Sequence, residues 1–314
     1  MVRKDWTRQV KLWRKRDRYA SRTHRFTSNY AKLSSFPATT HLRDWARSIW
    51  AIRRSFVYRQ YATYPFRLSR PLRLDPTDAH RAYLYIMNSS PGLLAGDRFQ
   101  IGAKLRDRTS LYLTDQSASK VHLMTLGQVA RIRFDFEIGA GASLEFVPEP
   151  LILYRDANLE QTIQIAIAPT GNLFLSEIMI PGRLARGECF HFSQYFSRLK
   201  VCTTDGELVF TDAMRLLGKS EPLTNNPIFT SQPILASIIL VAPEVDLQSL
   251  DLDLERFVHI YPELTADCSP LPNCNGLLVR AMSSNVPSLK AYINYALTRM
   301  RHQNAQPPLP EIHK

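Results

Sequence analysis

The stretch Arg131-Ile-Arg-Phe-Asp-Phe-Glu-Ile138 constrains the fold most, because charged and apolar residues alternate along it without a fault. A strand turns successive side chains to opposite faces, so this pattern specifies one buried face and one wet face. Gly139-Ala-Gly-Ala142 then turns the chain into Ser143-Leu-Glu-Phe-Val147. Thr162-Ile-Gln-Ile-Ala-Ile167 alternates again, and Pro169-Thr-Gly-Asn172 is a further turn. Asp205-Gly206, between Leu199–Thr203 and Glu207–Thr211, is a two-residue hairpin signal. Short strands at roughly ten-residue spacing predict a mainly β domain.

Helices are expected late. Asp246–Tyr261 carries Leu247, Leu250, Leu254, Phe257 and Val258 on one face. A C-terminal helix behind Pro287 repeats Leu289, Tyr292, Ile293, Ala296, Leu297 and Met300 at helical spacing. Between them Gly276-Leu-Leu-Val-Arg280 reads as a strand that joins the sheet. Earlier, Arg53–Leu74 carries Tyr58, Tyr61, Tyr64 and Phe66 with Pro65 and Pro71, which predicts short strands punctuated by turns.

The 314 residues, 45% of them hydrophobic, suffice for a large core. The net charge of +12 is uneven: residues 1–30 hold ten Lys and Arg against Asp5 and Asp17. This divides the chain into a basic, flexible extension (1–40) and a β-rich domain (41–314). The extension could alternatively be a docking arm for an acidic partner or nucleic acid. The rest is only mildly basic, which argues against a whole-surface nucleic-acid binder. The best apolar run, Ile234 to Ala242, is strand-sized and far short of a membrane span. No apolar run follows the basic start as a secretory signal requires. Four cysteines make no disulfide framework, and reduced thiols in a cytoplasmic protein are the expectation.

Hydrolytic and tight-metal chemistry find little support. No Gly-x-Ser-x-Gly elbow occurs, and His122 and His191 have no partners nearby in sequence to mark a triad. None of the eight histidines forms a His-x-His or His-x₃-His pair, and no Cys-x₂-Cys occurs. The turn after Gly92 and Gly96 leads into a strand rather than a helix, so it is no phosphate-binding loop. The carboxylates remain: Glu145 and Glu149 flank Phe146-Val-Pro148, and Asp97, Asp156, Glu177 and Glu188 sit beside turns or on strands. A solvated strand face is the plain expectation for each; a polar interior or partner surface is the alternative.

Two stretches stand out by their order. Asn88-Ser-Ser-Pro-Gly-Leu-Leu-Ala-Gly-Asp97 is followed by Leu113-Thr-Asp-Gln-Ser-Ala-Ser-Lys-Val121, and Leu175–Phe190 contains Gly182-Arg183, Ala185 and Gly187-Glu188. With Leu144, Glu145 and Pro148 between them, these resemble the UreD (also called UreH) family of urease accessory proteins over roughly residues 50–300. The matching positions are Gly92, Gly96 and Asp97; Leu113, Thr114, Gln116, Ala118 and Lys120; Leu144, Glu145 and Pro148; and Gly182, Arg183, Ala185, Gly187, Glu188 and Phe190. The sequence departs from the pattern at Asn88-Ser-Ser-Pro91, Ala95, Asp115, Ser117, Ser119, Pro150 and Ser176.

The resemblance implies a β-helix-like, elongated stack of sheets with a few helices, acting as an accessory protein rather than a catalyst. It implies binding to the urease apoprotein, a helical UreF-type protein and a UreG-type GTPase that would supply GTP hydrolysis. It also implies help in delivering nickel, with no tightly bound cofactor and nickel only in transit. Asp97, Glu145 and Glu177 are the candidates for nickel passage, since weak carboxylate sites let a borderline cation leave as readily as it enters. Gly92, Gly96, Thr114, Gln116, Lys120, Gly182, Arg183, Gly187 and Glu188 are candidates for structural or partner-binding roles. Two rivals remain: a β-scaffold hydrolase using a carboxylate pair such as Glu145 with Glu149 or Glu177, and a nucleic-acid binder acting through the leader.

Overall fold

A computed structural model describes residues 9–14, 54–75, 80–219, 223 and 225–312. Most of the 1–40 extension lies outside the described residues; of it, only Gln9–Arg14 is described, as a strand. The first strands are β1 (Gln9–Arg14), β2 (Ser55–Gln60), β3 (Phe66–Leu68), β4 (Ala82–Asn88), β5 (Arg98–Leu105) and β6 (Ser110–Asp115). Next come β7 (Ser119–Val121), β8 (Ala130–Ile138), β9 (Ser143–Phe146), β10 (Leu151–Leu153), β11 (Asn158–Ile167) and β12 (Asn172–Ile180). Then follow β13 (Gln194–Thr203), β14 (Leu208–Leu216), α1 (Pro227–Ser231), β15 (Ile234–Val241) and α2 (Leu247–Ile260). Last are β16 (Leu264–Pro270), β17 (Gly276–Ser283) and α3 (Val286–Gln303).

Two sheets form a β-helix-like stack. One has seven strands in the order β14-β13-β11-β8-β5-β1-β2; the main path of the other runs β16-β17-β15-β12-β9-β6-β4-β3. The chain alternates between them, β5 to β6, β8 to β9, β11 to β12, so its middle winds as a coil with parallel neighbours. Identical register on successive coils stacks like on like. Leu111, Leu144 and Leu173 share one row, and Leu113, Phe146 and Leu175 another. Each such fully buried side chain contributes about 1.5–3 kcal/mol. The short strand β10 pairs with β7 on one side and with β12 on the other, adding a narrow third side.

The expected turns are where the sequence placed them. Gly206 adopts φ 93° between antiparallel β13 and β14, and the 139–142 turn separates β8 from β9. On β8 the alternation is realised: Ile132, Phe134, Phe136 and Ile138 are buried, and the charged residues face out. The two late helices also form. Asp246 caps α2 by accepting from Gln248 N and Ser249 N, Asn285 caps α3 by accepting from Ser288 N, and Pro287 lies in α3's first turn.

The middle of the ten-stranded sheet is buried on both faces. Its inner face meets the seven-stranded sheet, and its outer face is covered by α2 and α3, which contribute Leu250, Leu254, Leu289, Tyr292, Ile293, Leu297 and Met300 to a second core. Hence all four residues of β9 are buried, a pattern no half-exposed strand shows.

Candidate functional site

The distinctive motifs gather on the narrow third side, where successive coils turn. Gly92 has φ 142°, and a Cβ there would lie 2.4 Å from Lys120 O, so only glycine lets the 88–97 loop seat against β7. Leu93 N then donates to Lys120 O and His122 N to Leu93 O. Asp97 closes the same loop: its Oδ2 accepts from Leu94 N at 2.8 Å, at a partly exposed position. Thr114 is fully buried, and its Oγ1 donates to Val147 O at 2.6 Å, whereas Gln116 and Lys120 are exposed.

One coil further on, His122 packs edge-on against Tyr154, and the Arg183 guanidinium lies 4.7 Å over the Tyr154 ring. Arg183 grips Glu188 with two hydrogen bonds, Nε to Oε2 at 2.8 Å and Nη2 to Oε1. That pair pulls the Glu188 carboxyl down to about 2. The two glycines of this turn differ. A Cβ on Gly182 would lie 2.3 Å from Glu188 O, but Gly187, at φ 71°, has open space around it. Close approach therefore requires Gly182, while Gly187 serves through its left-handed backbone alone.

Glu145 lies elsewhere, on the outer face of the ten-stranded sheet. Its register row runs Tyr83, Tyr112, Glu145, Phe174, Leu240 under α3. A solvated strand face would leave it wet; instead it has no exposed surface. Arg301 from α3, equally buried, donates Nε to Oε1 at 2.9 Å and Nη2 to Oε2. Arg81 Nη1 sits 2.9 Å from Oε1, an ionic contact too oblique to be a hydrogen bond. Asp75 lies 3.6 Å from Arg301 and accepts from the Tyr83 hydroxyl, so two guanidinium and two carboxylate groups meet underground. Burial alone would lower the Arg301 pKa, but Glu145 and Tyr83 outweigh it and the net shift is upward. Arg81 also donates to Gln306 Oε1 at 2.6 Å and Arg301 to Pro308 O at 3.2 Å, which ties down the C-terminal tail. Glu149 faces the same helix and pairs with Lys290 at 2.7 Å.

Glu177 points the opposite way, into the space between the sheets. Its row is Glu177, Ser237, Arg280, facing Gln161 and Ser197 from the seven-stranded sheet. Gln161 Nε2 donates to the Glu177 carboxylate and, at 3.1 Å, to Ser197 Oγ. Arg280 is engaged by Asp212 at 2.6 Å and donates to Ser237 Oγ. Burial raises the Glu177 carboxyl to about 7, against the opposing pull of the Gln161 hydrogen bond and the Arg280 charge. This carboxyl changes protonation near neutrality.

The three carboxylates proposed for passage are thus not brought together. Asp97 is in a surface loop, Glu145 lies between sheet and helix, and Glu177 lies between the sheets. Among the described residues, no three His, Cys, Asp or Glu side chains converge as a metal cage. All four cysteines are free and partly buried. Sequence reading missed Arg81, Arg301, Gln161 and Arg280. Two were detectable: Arg301 falls four residues after Leu297 on the apolar stripe of α3, and Gln161 takes the inward parity of Leu159 and Ile163 on β11.

A family model described as UreD urease accessory protein matches residues 39–314. Urease accessory protein UreD of Trichodesmium erythraeum is 45% identical over 262 residues, which is 83% of this chain and 94% of that protein. The UreD of Haloarcula marismortui is 31% identical over 254 residues, 81% of this chain and 84% of that one. Urease accessory protein UreD 2 of Streptomyces griseus is 28% identical over 211 residues, 67% and 71% of the two chains.

Proposed function

The chain belongs to the UreD family of urease accessory proteins, and from that premise we propose that it is a maturation scaffold that helps load nickel into urease. Its place in urease maturation follows from the family; what it holds and passes on is our reading. In that reading it binds the urease apoprotein in the cytoplasm together with UreF- and UreG-type partners, and GTP hydrolysis falls to the UreG-type protein. No helix among the described residues is long and apolar enough to cross a membrane.

The observation that carries the nickel part is the Glu177 layer. A carboxyl ionising near pH 7, with an amide and hydroxyls beside it, can exchange a proton for a divalent cation and then release it. Asp97 remains a candidate at the surface, where its carboxylate is only partly buried. Glu145 suits the role less well, because two guanidinium groups already occupy its oxygens. The same pairing of Glu145 and Glu149 with Arg301, Arg81 and Lys290 speaks against the carboxylate-pair hydrolase. The test is co-expression of urease with its accessory proteins, with and without this chain, reading nickel per active site. Full nickel content in its absence would overturn the scaffold reading.

A further inference from the structure

One end of the coil carries a surface that the motifs do not explain. β2 and β3 are the terminal strands of the two sheets at the same end of the stack, and Gln60 Nε2 bridges them by donating to Leu68 O at 3.4 Å. Between residues 54 and 74 there are five arginines and no Asp or Glu. Arg54, Arg59, Arg67 and Arg70 are exposed, and none has an acidic partner among the described residues. Interleaved with them, Tyr58, Tyr61 and Tyr64 are 50%, 55% and 76% exposed, and Leu72 is 41% exposed.

Arg and Tyr are the side chains that carry most binding energy at protein interfaces, since they bury large, rigid or bidentate groups at modest entropic cost. Their segregation at the end of a stacked-coil fold is notable because such ends must be capped to stop edge-to-edge pairing. The covering group must be anionic. The chain's own leader is not, with ten Lys and Arg in its first thirty residues. A polypeptide suits the site better than a nucleic acid. Among the described residues the sheets end at β2 and β3, and there a protein segment can meet backbone donors and acceptors in register, as bases and phosphates cannot.

We infer that the β2–β3 end, through Arg59, Arg67, Arg70, Tyr58, Tyr61 and Tyr64, is a docking surface for an acidic protein partner. The inference rests on the scaffold reading only for the choice of probe, which is purified urease apoprotein presented to the full chain in complex with its UreF-type partner. Arg59→Glu/Arg67→Glu/Arg70→Glu is compared with Arg98→Glu/Arg198→Glu/Lys200→Glu, an equal charge reversal on exposed positions of the seven-stranded sheet. The first triple variant should weaken binding by about tenfold or more, and its wild-type counterpart should lose affinity steeply with salt. The control triple should change affinity less than threefold or so. Tyr61→Ser/Tyr64→Ser should raise the dissociation rate while leaving salt dependence intact. Thermal melts of each variant report folding separately.

Equal weakening by both triple variants would overturn the inference, as would wild-type affinity in the β2–β3 triple. A wild-type complex that ignores urease altogether would instead count against the scaffold reading. A short single-stranded DNA serves as the rival ligand: binding of it that is lost with the β2–β3 triple, with urease binding intact, would reassign the surface to nucleic acid.

Discussion

Glu145 and Glu177 lie on the same sheet, on adjacent strands β9 and β12, and meet opposite fates on its two faces. Glu145 faces α3 and is met by Arg301 and Arg81, with Asp75 balancing the second positive charge. Glu177 faces the other sheet and is met by an amide, while its nearest cation, Arg280, is engaged by Asp212. A sheet buried on both sides can therefore hold two kinds of acid. One is neutralised and serves as a brace. The other is left underpaired, and its proton becomes exchangeable near neutral pH. The same residue type is structural or available according to which helix or sheet supplies the cations.

The largest effect should come from breaking the brace. Glu145→Ala or Arg301→Ala leaves a charge stranded where no water reaches, and each should destabilise the fold by about 3–5 kcal/mol in chemical denaturation. The tail should loosen with Arg301→Ala, since Pro307 and Pro308 lose their donor. Loss below about 1 kcal/mol would mean that the cluster is not the brace described.

Next is the coupling between the two. In a double-mutant cycle, Glu145→Gln with Arg301→Met should cost less than the sum of the singles by about 1–3 kcal/mol, because the stranded charge is removed with its partner. Additive losses would show that Arg301 acts through packing or its tail contacts instead of through Glu145.

A smaller effect is expected at Gln161. Gln161→Leu removes the amide that stabilises ionised Glu177, so the Glu177 carboxyl should titrate above its present value of about 7. Stability at pH 8 should fall by about 1–2 kcal/mol, the cost of an unmet buried acceptor. At pH 5, where the carboxyl is protonated, the loss should shrink. An equal loss at both pH values would assign Gln161 a packing role alone.

Much of the fold was legible because local rules and burial agreed. The alternation of 131–138, the Asp205-Gly206 turn and the apolar stripe of the last helix each needed only their own neighbours. The site was less legible because it depends on which face a second layer covers. Residues 143–146 read as a strand, yet nothing within them says that α3, well over a hundred residues later, seals the outer face over Glu145. The Gly182 turn shows the same limit. Its spacing marked both glycines, but the approach of Glu188 O to one of them is a fact of three dimensions.

The smallest change in stability, and the sharpest in function, is expected from Glu177→Gln. Folding raises this carboxyl from its ordinary 4.5 to about 7, so between those values the folded chain binds more protons than the unfolded one. Stability from this group therefore falls as pH rises from about 4.5 through about 7. Glutamine keeps the shape and cannot ionise, so the variant should lose that slope and match or exceed wild type at pH 8. Assembly with urease should be unchanged, because the Glu177 side chain faces the seven-stranded sheet, away from α3 and from the β2–β3 end. Nickel per active site should nevertheless fall if an ionisable oxygen is needed there. Asp97→Asn and Glu145→Gln, measured alongside, separate the alternatives. Reduced loading with intact assembly in Glu177→Gln alone places passage in the inter-sheet layer, whereas the same pattern in Asp97→Asn alone moves it to the surface loop. Lost assembly with Glu145→Gln reports its brace. Full nickel loading by the combined Asp97→Asn/Glu177→Gln variant would leave the Glu177 layer with no part in transfer, and its raised carboxyl would stand as a cost of packing a polar row inside the coil.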